Sequence, residues 1–243
     1  MDWLRALFRP RGGPPQHFFL PEASWHRRIS PEAMAEMEAI CPPRRYRKGE
    51  AIFLLGDPAQ GFFILMEGRV RLILPTTKGE RTLALLGEGD IFGESFLTGK
   101  PAQTTTALVQ SPQAVVCPVS REQFLEIART LPEVALAFAS LLAERIGQLT
   151  EEIARGALPA PVRVGRLLLN LGRRFGHLGK NGSILLDLDL SQEELGTFCG
   201  VTRVTVAQAF RLFRAEGVLE RQGSGYVLYP DRLESLLETW EGL

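Results

Sequence analysis

The segment from Ser191 to Arg214, SQEELGTFCGVTRVTVAQAFRLFR, restricts the possible folds more than any other part of the chain. Ser191 precedes Glu194 by three positions, which is the spacing of a capping box at the start of a helix. Gly200 suits a tight turn with a positive φ, and Gly196 allows two helices to approach closely. Five residues are spaced to meet in one small core: Leu195, Cys199, Val201, Val206 and Phe210. The segment therefore predicts two short helices joined by a tight turn.

The second of these helices has a polar outer face. Thr202 is placed to cap its N-terminus, and the outer positions at helical spacing are Arg203, Val204, Ala207, Gln208 and Arg211. An arginine grips guanine with two hydrogen bonds, a glutamine suits adenine and a valine methyl contacts thymine, so this face fits a major groove. The predicted DNA-binding residues are Ser191, Gln192, Thr202, Arg203, Val204, Thr205, Gln208 and Arg211, with Thr202 and Thr205 assigned to phosphates.

An amphipathic helical hairpin with a solvated polar face is the alternative interpretation of this segment. The sequence that follows favours the DNA-binding interpretation, because Val218–Arg221 and Tyr226–Tyr229 have the composition of strands around the turn Gln222–Gly225. Two helices followed by a hairpin predict a winged helix, which is more specific than either part alone.

Composition limits what the rest of the chain can do. The length of 243 residues is enough for two domains, and the 45% hydrophobic content predicts that they are folded. The 28 basic and 28 acidic residues leave no net charge that would attract nucleic acid. Cys41, Cys117 and Cys199 are far apart in sequence and lack a CxxC or histidine-rich neighbourhood, so we predict no metal or iron–sulfur site and a reducing, cytoplasmic location. Cys117 and Cys199 are interpreted as buried packing residues, with redox sensing as the alternative. No membrane span is expected, because no apolar run approaches about 20 residues.

Residues 44–118 divide into short runs separated by glycine-containing turns. A short helix beginning at Ser30 and Pro31 precedes them. The runs predict an eight-stranded antiparallel roll that includes the strands Ala51–Leu55, Phe62–Glu67, Val70–Leu74, Thr82–Leu86 and Ala114–Val119. An ordinary β-barrel would give a similar pattern.

Residues 132–156 change to a helical periodicity. Apolar residues recur at steps of three or four, at Ala135, Phe138, Leu142, Ile146, Leu149 and Ile153. This stripe either packs on the roll or forms the seam of a dimer, and the second interpretation places Phe138, Leu142, Leu149 and Ile153 at a dimer interface. The segment GALPAP at 156–161 is the predicted hinge.

Three further elements are predicted around the winged helix. They are a helix at 162–175, a hairpin around 179–182 and a closing helix from Asp231 to Trp240, capped by Asp231. The closing helix would cover either the core of its own domain or a partner.

The order of these parts, together with PRRYRKGEAIFLLGDP, FFILMEGRVRLIL, LGEGDIFGESFLTGKP and TRVTV, resembles the cyclic AMP receptor protein (CRP/FNR) superfamily of transcription regulators from about residue 30 to residue 230. TRVTV is similar to the recognition helix of the cyanobacterial global nitrogen regulators, although Gln208 stands where those proteins carry a base-reading arginine. The resemblance implies an α+β fold. Its parts are an N-terminal extension (1–29), a cyclic-nucleotide-binding-like β-roll (30–131), a dimerisation helix with its hinge (132–158) and a winged helix-turn-helix domain (159–243).

The resemblance also implies an effector pocket formed by Gly93, Glu94, Ser95, Gln103, Thr104, Arg145, Leu149 and Thr150. Members that bind cyclic nucleotide follow Phe-Gly-Glu with an Arg-Ser or Arg-Thr pair whose arginine neutralises the phosphate, whereas this chain has Gln103 and Thr104. A charge-assisted hydrogen bond is worth about 1.5–3 kcal/mol, and Leu149 replaces a polar contact to the purine, so cyclic AMP is not the expected ligand. Arg145 is either the remnant of a dicarboxylate site, as in the nitrogen regulators, or a structural partner of Glu94. Haem is not expected, because His17, His26 and His177 lie outside the roll and the long helix.

Together these features predict a homodimeric transcription activator. It would bind a two-fold symmetric site in double-stranded DNA through the helix 202–214, work with RNA polymerase and act independently of cyclic AMP. No cofactor is expected, and the effector is unknown. The alternative is a ligand-binding regulatory module that controls a partner protein. The sequence contains no Ser, His and Asp arrangement and no glycine-rich phosphate loop, so an enzyme is not predicted.

Overall fold

The structure is a computed structural model that describes residues 29–77, 79–99 and 102–241, without the side chains of residues 34, 38, 148, 151, 152, 154 and 155. These residues fall into two units, the first made of residues 29–77 and 83–147 and the second chiefly of residues 148–241. The predicted N-terminal extension, residues 1–29, lies outside the described residues except for its last position.

The first unit contains the predicted antiparallel roll. In the described part of the chain its strands are β1 (Arg44–Arg47), β2 (Ala51–Phe53), β3 (Gly61–Glu67), β4 (Val70–Thr76), β5 (Gly79–Leu86), β6 (Ile91–Phe92), β7 (Thr106–Val109) and β8 (Gln113–Ser120). They form two four-stranded sheets with the orders β1-β8-β3-β6 and β2-β7-β4-β5. The prediction of an eight-stranded antiparallel roll is therefore confirmed.

Three helices accompany the strands. They are α1 (Pro31–Ala39), α2 (Arg121–Thr130) and the long α3 (Pro132–Arg155), and a short 3-10 helix spans Glu94–Thr98. Ser120 starts α2 with a capping box, because its hydroxyl accepts a hydrogen bond from the Gln123 amide while the Gln123 side chain accepts one from the Ser120 amide. Ser30 caps α1 in part, since its hydroxyl accepts from the Ala33 amide at 3.2 Å. Helices α1 and α3 begin where the sequence predicted, whereas α2 was not predicted.

Two hydrophobic clusters hold the roll together. One lies between the two sheets and includes Leu65, Phe92 and Val116. The other joins the outer face of the β3 and β8 sheet to the helices and contains Phe62, Phe96, Phe124 and Phe138 among its buried residues. Ring centroids in this second cluster lie 5.0 Å apart for Phe124 and Phe138 and 5.1 Å apart for Phe62 and Phe138.

This packing corrects part of the predicted dimer interface. Phe138 is only 3% exposed and lies in the core of the roll, so the prediction that it lines a dimer surface is wrong. Leu142 is half-buried and packs against the same cluster. By contrast, Leu149 is 50% exposed and Ile153 is 80% exposed. The apolar positions predicted for one stripe of α3 are therefore divided, because Phe138 and Leu142 pack on the roll whereas Leu149 and Ile153 are exposed.

The cysteines also differ from the sequence-based interpretation. Cys117 is buried, as predicted, but it forms a disulfide with Cys41, whose Cα lies 5.4 Å away although 76 positions separate the two residues. Cys199 is buried in the second unit and forms no disulfide, which confirms its predicted packing role.

The second unit is a winged helix. Its helices are α4 (Ala160–Phe175), α5 (Gln192–Cys199), α6 (Arg203–Ala215) and α7 (Pro230–Glu241), and its strands are β9 (His177–Leu178), β10 (Ile184–Leu186), β11 (Leu219–Gln222) and β12 (Gly225–Leu228). The strands form one sheet in the order β11-β12-β10-β9. Apolar residues of all four helices build its core, and those of α4 are the most numerous.

The closing helix α7 covers the core of its own unit. Leu233 and Leu237 are fully buried, and the Trp240 ring stacks on Phe213 with centroids 6.0 Å apart. The helix starts at Pro230, one position earlier than predicted, so Asp231 lies in its first turn and does not cap it. The aspartate still lies where its negative charge favours the helix dipole.

Candidate DNA-binding surface and effector pocket

Helix α5 begins at the predicted capping box. The Ser191 hydroxyl accepts a hydrogen bond from the Glu194 amide at 3.1 Å, and the Glu194 carboxylate accepts one from the Ser191 amide at 2.8 Å. Leu195 and Cys199 point into the core, whereas Ser191 is exposed and Gln192 is half-buried at the start of the helix. The first turn of α5 therefore leaves two polar side chains at the surface, beside a fixed helix start.

Two glycines set the turn between α5 and α6. Gly200 ends α5 with φ 62° and ψ 41°, a left-handed conformation that favours glycine. Gly196 lies under the turn, where its carbonyl accepts a hydrogen bond from the Val201 amide at 3.0 Å and a Cβ would come within 2.5 Å of the Val201 carbonyl oxygen. The close approach of the two helices therefore depends on the absence of a side chain at Gly196.

Helix α6 separates its residues into two faces. Val206, Ala209, Phe210 and Phe213 are buried in the core. The outward face consists of exposed or half-buried residues, namely Thr202, Arg203, Val204, Thr205, Ala207, Gln208 and Arg211. Val204 is 65% exposed although it is apolar. The outward face therefore combines hydrogen-bonding side chains, Arg203 and Gln208, with one exposed apolar side chain, Val204.

Thr202 and Thr205 fix the start of α6. The Thr202 hydroxyl accepts a hydrogen bond from the Thr205 amide at 3.2 Å, and the two hydroxyl oxygens lie 3.0 Å apart. The cap therefore orients the first turn of the helix, where Arg203 and Val204 follow directly.

The wing is the hairpin of β11 and β12. Its register pairs Gln222 with Gly225, and Gly223 has φ 58° in the turn. The Ser224 hydroxyl donates a hydrogen bond to the Asp187 carboxylate at 3.0 Å, which ties the tip of the hairpin to the chain that follows β10. Arg221 is exposed on the wing and was not among the predicted DNA-binding residues. The sequence could have indicated this residue, because Arg221 ends a predicted strand next to the turn of the wing.

At the base of the wing a tyrosine is linked to a carboxylate. The Tyr229 hydroxyl donates a hydrogen bond to Glu220 at 3.1 Å. This hydrogen bond and the charge of Glu220 raise the pKa of the Tyr229 phenol.

In the first unit, the structure brings several predicted pocket residues together. Gly93, with φ 80°, precedes the short 3-10 helix that carries Glu94 and Ser95. The Ser95 and Thr104 hydroxyl oxygens lie 3.1 Å apart, and the Thr104 amide donates to the Ser95 hydroxyl at 3.3 Å. The Gly93–Ser95 segment and the Gln103–Thr104 pair therefore face each other, as the resemblance implied.

Gln103 is held in place by its backbone. Its amide donates to the Asp57 carbonyl at 2.7 Å, and its carbonyl accepts from the Gly56 amide at 2.9 Å. The side chain is buried, since the residue is 3% exposed, and its Oε1 has no hydrogen-bond donor among the residues that the structure describes. A buried amide oxygen of this kind leaves one acceptor available for a ligand or a water.

Arg145 of α3 is part of an ion pair. Its Nη1 lies 2.5 Å from the Glu94 carboxylate, and its Nη2 donates a hydrogen bond to the Ile91 carbonyl. Arg145 is 7% exposed. Of the two interpretations of Arg145, the geometry corresponds to the structural partner of Glu94.

Helix α3 exposes apolar side chains near both of its ends. Leu136 is 70% exposed, Ile146 65%, Leu149 50% and Ile153 80%, and Thr150 is also exposed. Leu136 and Ile146 were absent from the predicted interface. Together with the exposed residues 139, 143, 150 and 153, they form a series at steps of three and four, which places all six on one face of the helix. This spacing distinguishes the exposed face from the buried one.

Two further features are absent from the described residues. No group of three or more His, Cys, Asp or Glu side chains is arranged to hold a metal ion in that part of the chain. Nor do the residues in the described ranges form any helix long and apolar enough to cross a membrane.

Comparison with known proteins assigns both units. Residues 43–130 match the family described as cyclic nucleotide-binding domain, and residues 162–236 match the Crp-like helix-turn-helix domain. The chain is 32% identical over 202 residues to the cyclic AMP receptor protein of Thermus thermophilus, which covers 82% of this chain and 88% of that protein. It is also 32% identical over 169 residues to the global nitrogen regulator of Synechococcus elongatus, covering 68% of this chain and 75% of that protein.

A solved structure gives the same assignment. The structure of FixK2 from Bradyrhizobium japonicum aligns with a TM-score of 0.70 and 25% identity, over 81% of this chain and 97% of that chain. The predictions of the family, of the fold class and of a regulator instead of an enzyme are confirmed. With both domains matched in order and relatives above 30% identity along most of their length, the chain belongs to the CRP/FNR family of DNA-binding transcription regulators.

Proposed function

We propose that this regulator is a homodimeric activator that binds a two-fold symmetric DNA site through α6 and does not require cyclic AMP. The DNA-binding part of this proposal rests on the two faces of α6. Its inner face is buried in the core of the second unit, whereas the side chains of its outer face are exposed, namely Arg203, Val204, Gln208 and Arg211. A helix held in this way presents a fixed set of side chains to a groove.

The outer face of α6 supports specific roles for its residues. Arg203 follows the cap and reaches a guanine at the N-terminal end of the helix, while Gln208 reads a base further along the groove. Val204 contacts a thymine methyl. Thr202 and Thr205, together with Ser191 and Gln192 at the start of α5, contact phosphates and set the position of the helix on the duplex.

The exposed stripe on α3 supports the homodimer. Leu136, Ile146 and Ile153 expose apolar surface on one face of a 24-residue helix, Leu149 flanks that face, and a second copy of the same helix covers the surface symmetrically. Two recognition helices related by a two-fold axis read half-sites about 34 Å apart, which is one turn of DNA.

Two departures from the family pattern support independence from cyclic AMP. Gln103 supplies a neutral amide where cyclic-nucleotide-binding members carry an arginine, and Leu149 supplies an apolar side chain where they carry a polar contact to the purine. Losing the charge-assisted hydrogen bond alone weakens phosphate binding by about one to two decades. The Thermus thermophilus relative is named a cyclic AMP receptor protein, so on this proposal the two proteins differ in their effector.

The remaining parts of the proposal come from the family. An activator of this kind contacts RNA polymerase, and the pocket residues of its first unit, Gly93, Glu94, Ser95, Gln103 and Thr104, receive any effector. Control then comes from the amount of protein or from a ligand other than cyclic AMP, because a ligand shifts a conformational equilibrium only by its difference in affinity for the two states.

The test of the DNA-binding part is selection of binding sites from random DNA. We expect the full chain to select a palindrome, and Arg203→Ala to cost about 1–3 kcal/mol and relax the preference at one position of each half-site. Arg232→Ala removes the same charge from an exposed position of α7 and is the matched control. An unchanged motif from Arg203→Ala would contradict the assignment of α6.

The test of the effector part is calorimetric titration of cyclic AMP with a parallel DNA-binding assay without nucleotide. We expect DNA binding without nucleotide, and Gln103→Arg to raise the affinity for cyclic AMP by about ten- to a hundredfold because it restores the charge. Micromolar binding of cyclic AMP by the natural chain, with a tenfold or greater gain in DNA affinity, would refute this part.

A further inference from the structure

Two cysteines that the DNA-binding function does not use meet in the core of the roll. Cys41 is half-buried just after α1, and Cys117 is 1% exposed in the middle of β8. Their Cα atoms lie 5.4 Å apart, within the range of about 4.4–6.8 Å that a disulfide requires. The third cysteine, Cys199, belongs to the core of the other unit.

The fold itself fixes this proximity. In the sheet, Cys117 pairs in register with Ile64 of β3. Three residues beyond Cys41, Arg44 starts the pairing of β1 with β8, opposite Val116. The backbone therefore carries both cysteines to the same place whether or not their sulfurs are bonded.

We propose that Cys41 and Cys117 are a reversible thiol–disulfide pair, a redox-modification site within the first unit. A DNA-binding regulator acts in the compartment that contains the DNA. Thiol reductants in that compartment make most disulfides transient and redox-responsive. The pair has the arrangement that such a response needs, because Cys41 is only half-buried and Cys117 is held beside it to resolve the oxidised sulfur.

The oxidation balances with a peroxide as oxidant. The Cys41 thiolate attacks one oxygen of hydrogen peroxide, the O–O bond breaks, and Cys41 becomes a sulfenic acid while hydroxide leaves and takes up a proton to form water. The Cys117 thiol then attacks the Cys41 sulfur, the S–O bond breaks and a second water leaves with the thiol proton. Overall two thiols give two electrons to one peroxide, yielding a disulfide and two waters. A dithiol reverses the reaction by exchange at the sulfur of Cys41, the less buried of the two residues, with Cys117 as the leaving thiolate.

The bond connects α1 to the core that carries α3. Cys117 shares its hydrophobic cluster with Met37 of α1 and with Phe138 and Leu141 of α3. Helix α1 has nine residues, too few to be stable without packing. Because the disulfide closes a long loop, it removes freedom from the unfolded chain and holds the end of α1 on the roll.

Counting free thiols in the full chain tests the pair. After reduction and removal of the reductant, denaturation and alkylation should label all three cysteines, and after brief exposure to a few equivalents of hydrogen peroxide only Cys199. Peptide mapping should recover Cys41 joined to Cys117, and a dithiol should restore three labels. Cys199→Ala should give two labels and then none. In Cys41→Ser, peroxide should leave Cys117 open to alkylation after denaturation, because the buried Cys117 sulfur has lost its less buried partner.

Thermal unfolding provides a second readout that does not depend on any variant. We expect oxidation of the natural chain to raise the unfolding midpoint of the first unit by roughly 5–15 °C and a dithiol to reverse the rise. Three labelled cysteines after peroxide, bonds between two chains, or sulfonic acid at Cys41 would each overturn the proposal. Equal midpoints for the oxidised and reduced chains would overturn the stabilising role.

Discussion

Replacing Ile146 by glutamate should separate the proposed dimer into folded monomers. Ile146 is 65% exposed in the single chain, and complete burial of such a side chain is worth about 1.5–3 kcal/mol. Burying the exposed fraction against a partner therefore contributes about 1–2 kcal/mol per copy. A two-fold interface contains two copies, so Ile146→Ala should raise the dissociation constant by about 30- to 1,000-fold. Ile146→Glu should exceed this, because it also buries an unpaired carboxylate.

The position of Ile146 makes the result interpretable. Leu142 packs against the core of the roll, so a charge there would weaken the roll and the dimer together, whereas Ile146 lies outside that cluster. Leu178→Glu is the matched control, since Leu178 is 87% exposed on β9 and the change of charge is the same. Sedimentation equilibrium at micromolar concentration, with circular dichroism to verify folding, measures the outcome. Folded Ile146→Glu that sediments as a dimer would refute the assignment of this face.

Three further changes test contacts within the chain. Leu237→Ala should destabilise the winged helix by about 2–5 kcal/mol in thermal or urea unfolding, because Leu237 is fully buried, and a loss below about 1 kcal/mol would contradict the packing of α7. Gly200→Ala should cost about 1–2 kcal/mol, because φ is 62° there, and an equally stable variant would show that the turn is different. Glu133 accepts hydrogen bonds from the Ser30 hydroxyl and amide, which lower the pKa of its carboxyl, so this contact stabilises the fold above the ordinary pKa of a glutamate and the stabilisation is lost as the pH falls through the lowered value. The unfolding midpoint should therefore depend less on pH in this acidic range in Glu133→Gln than in the natural chain, and an unchanged pH profile would exclude the contact.

The winged helix could be predicted almost completely from the sequence. Ser191 and Glu194 mark a helix start by spacing alone, and Gly200 marks the turn because few other residues adopt a left-handed conformation. The interactions involved are local, so nearby residues contain the information. The wing was predicted for the same reason, with the bounds of β11 and β12 each displaced by one residue and with Arg221 correctly opposite Tyr226.

Other features depend on contacts between distant parts of the chain and were missed. The periodicity of α3 identifies an apolar stripe but does not show which turns the roll covers, so Phe138 was placed on the wrong side. Cys41 and Cys117 meet only because β1 and β8 pair, and their spacing in sequence gives no sign of this. The Gln103 Oε1 has no hydrogen-bond donor among the described residues because of the side chains around it. The sequence could indicate this site only by having a glutamine where cyclic-nucleotide-binding members have an arginine.

The two faces of α6 also make this domain a convenient scaffold for new DNA specificities. Codons for Arg203, Val204, Gln208 and Arg211 can be randomised in a library without touching the core, because none of these side chains is buried. Gly196 must stay constant in such a library, since any side chain there would collide with the turn. Selection would then act on base recognition alone, and clones would not be lost to misfolding.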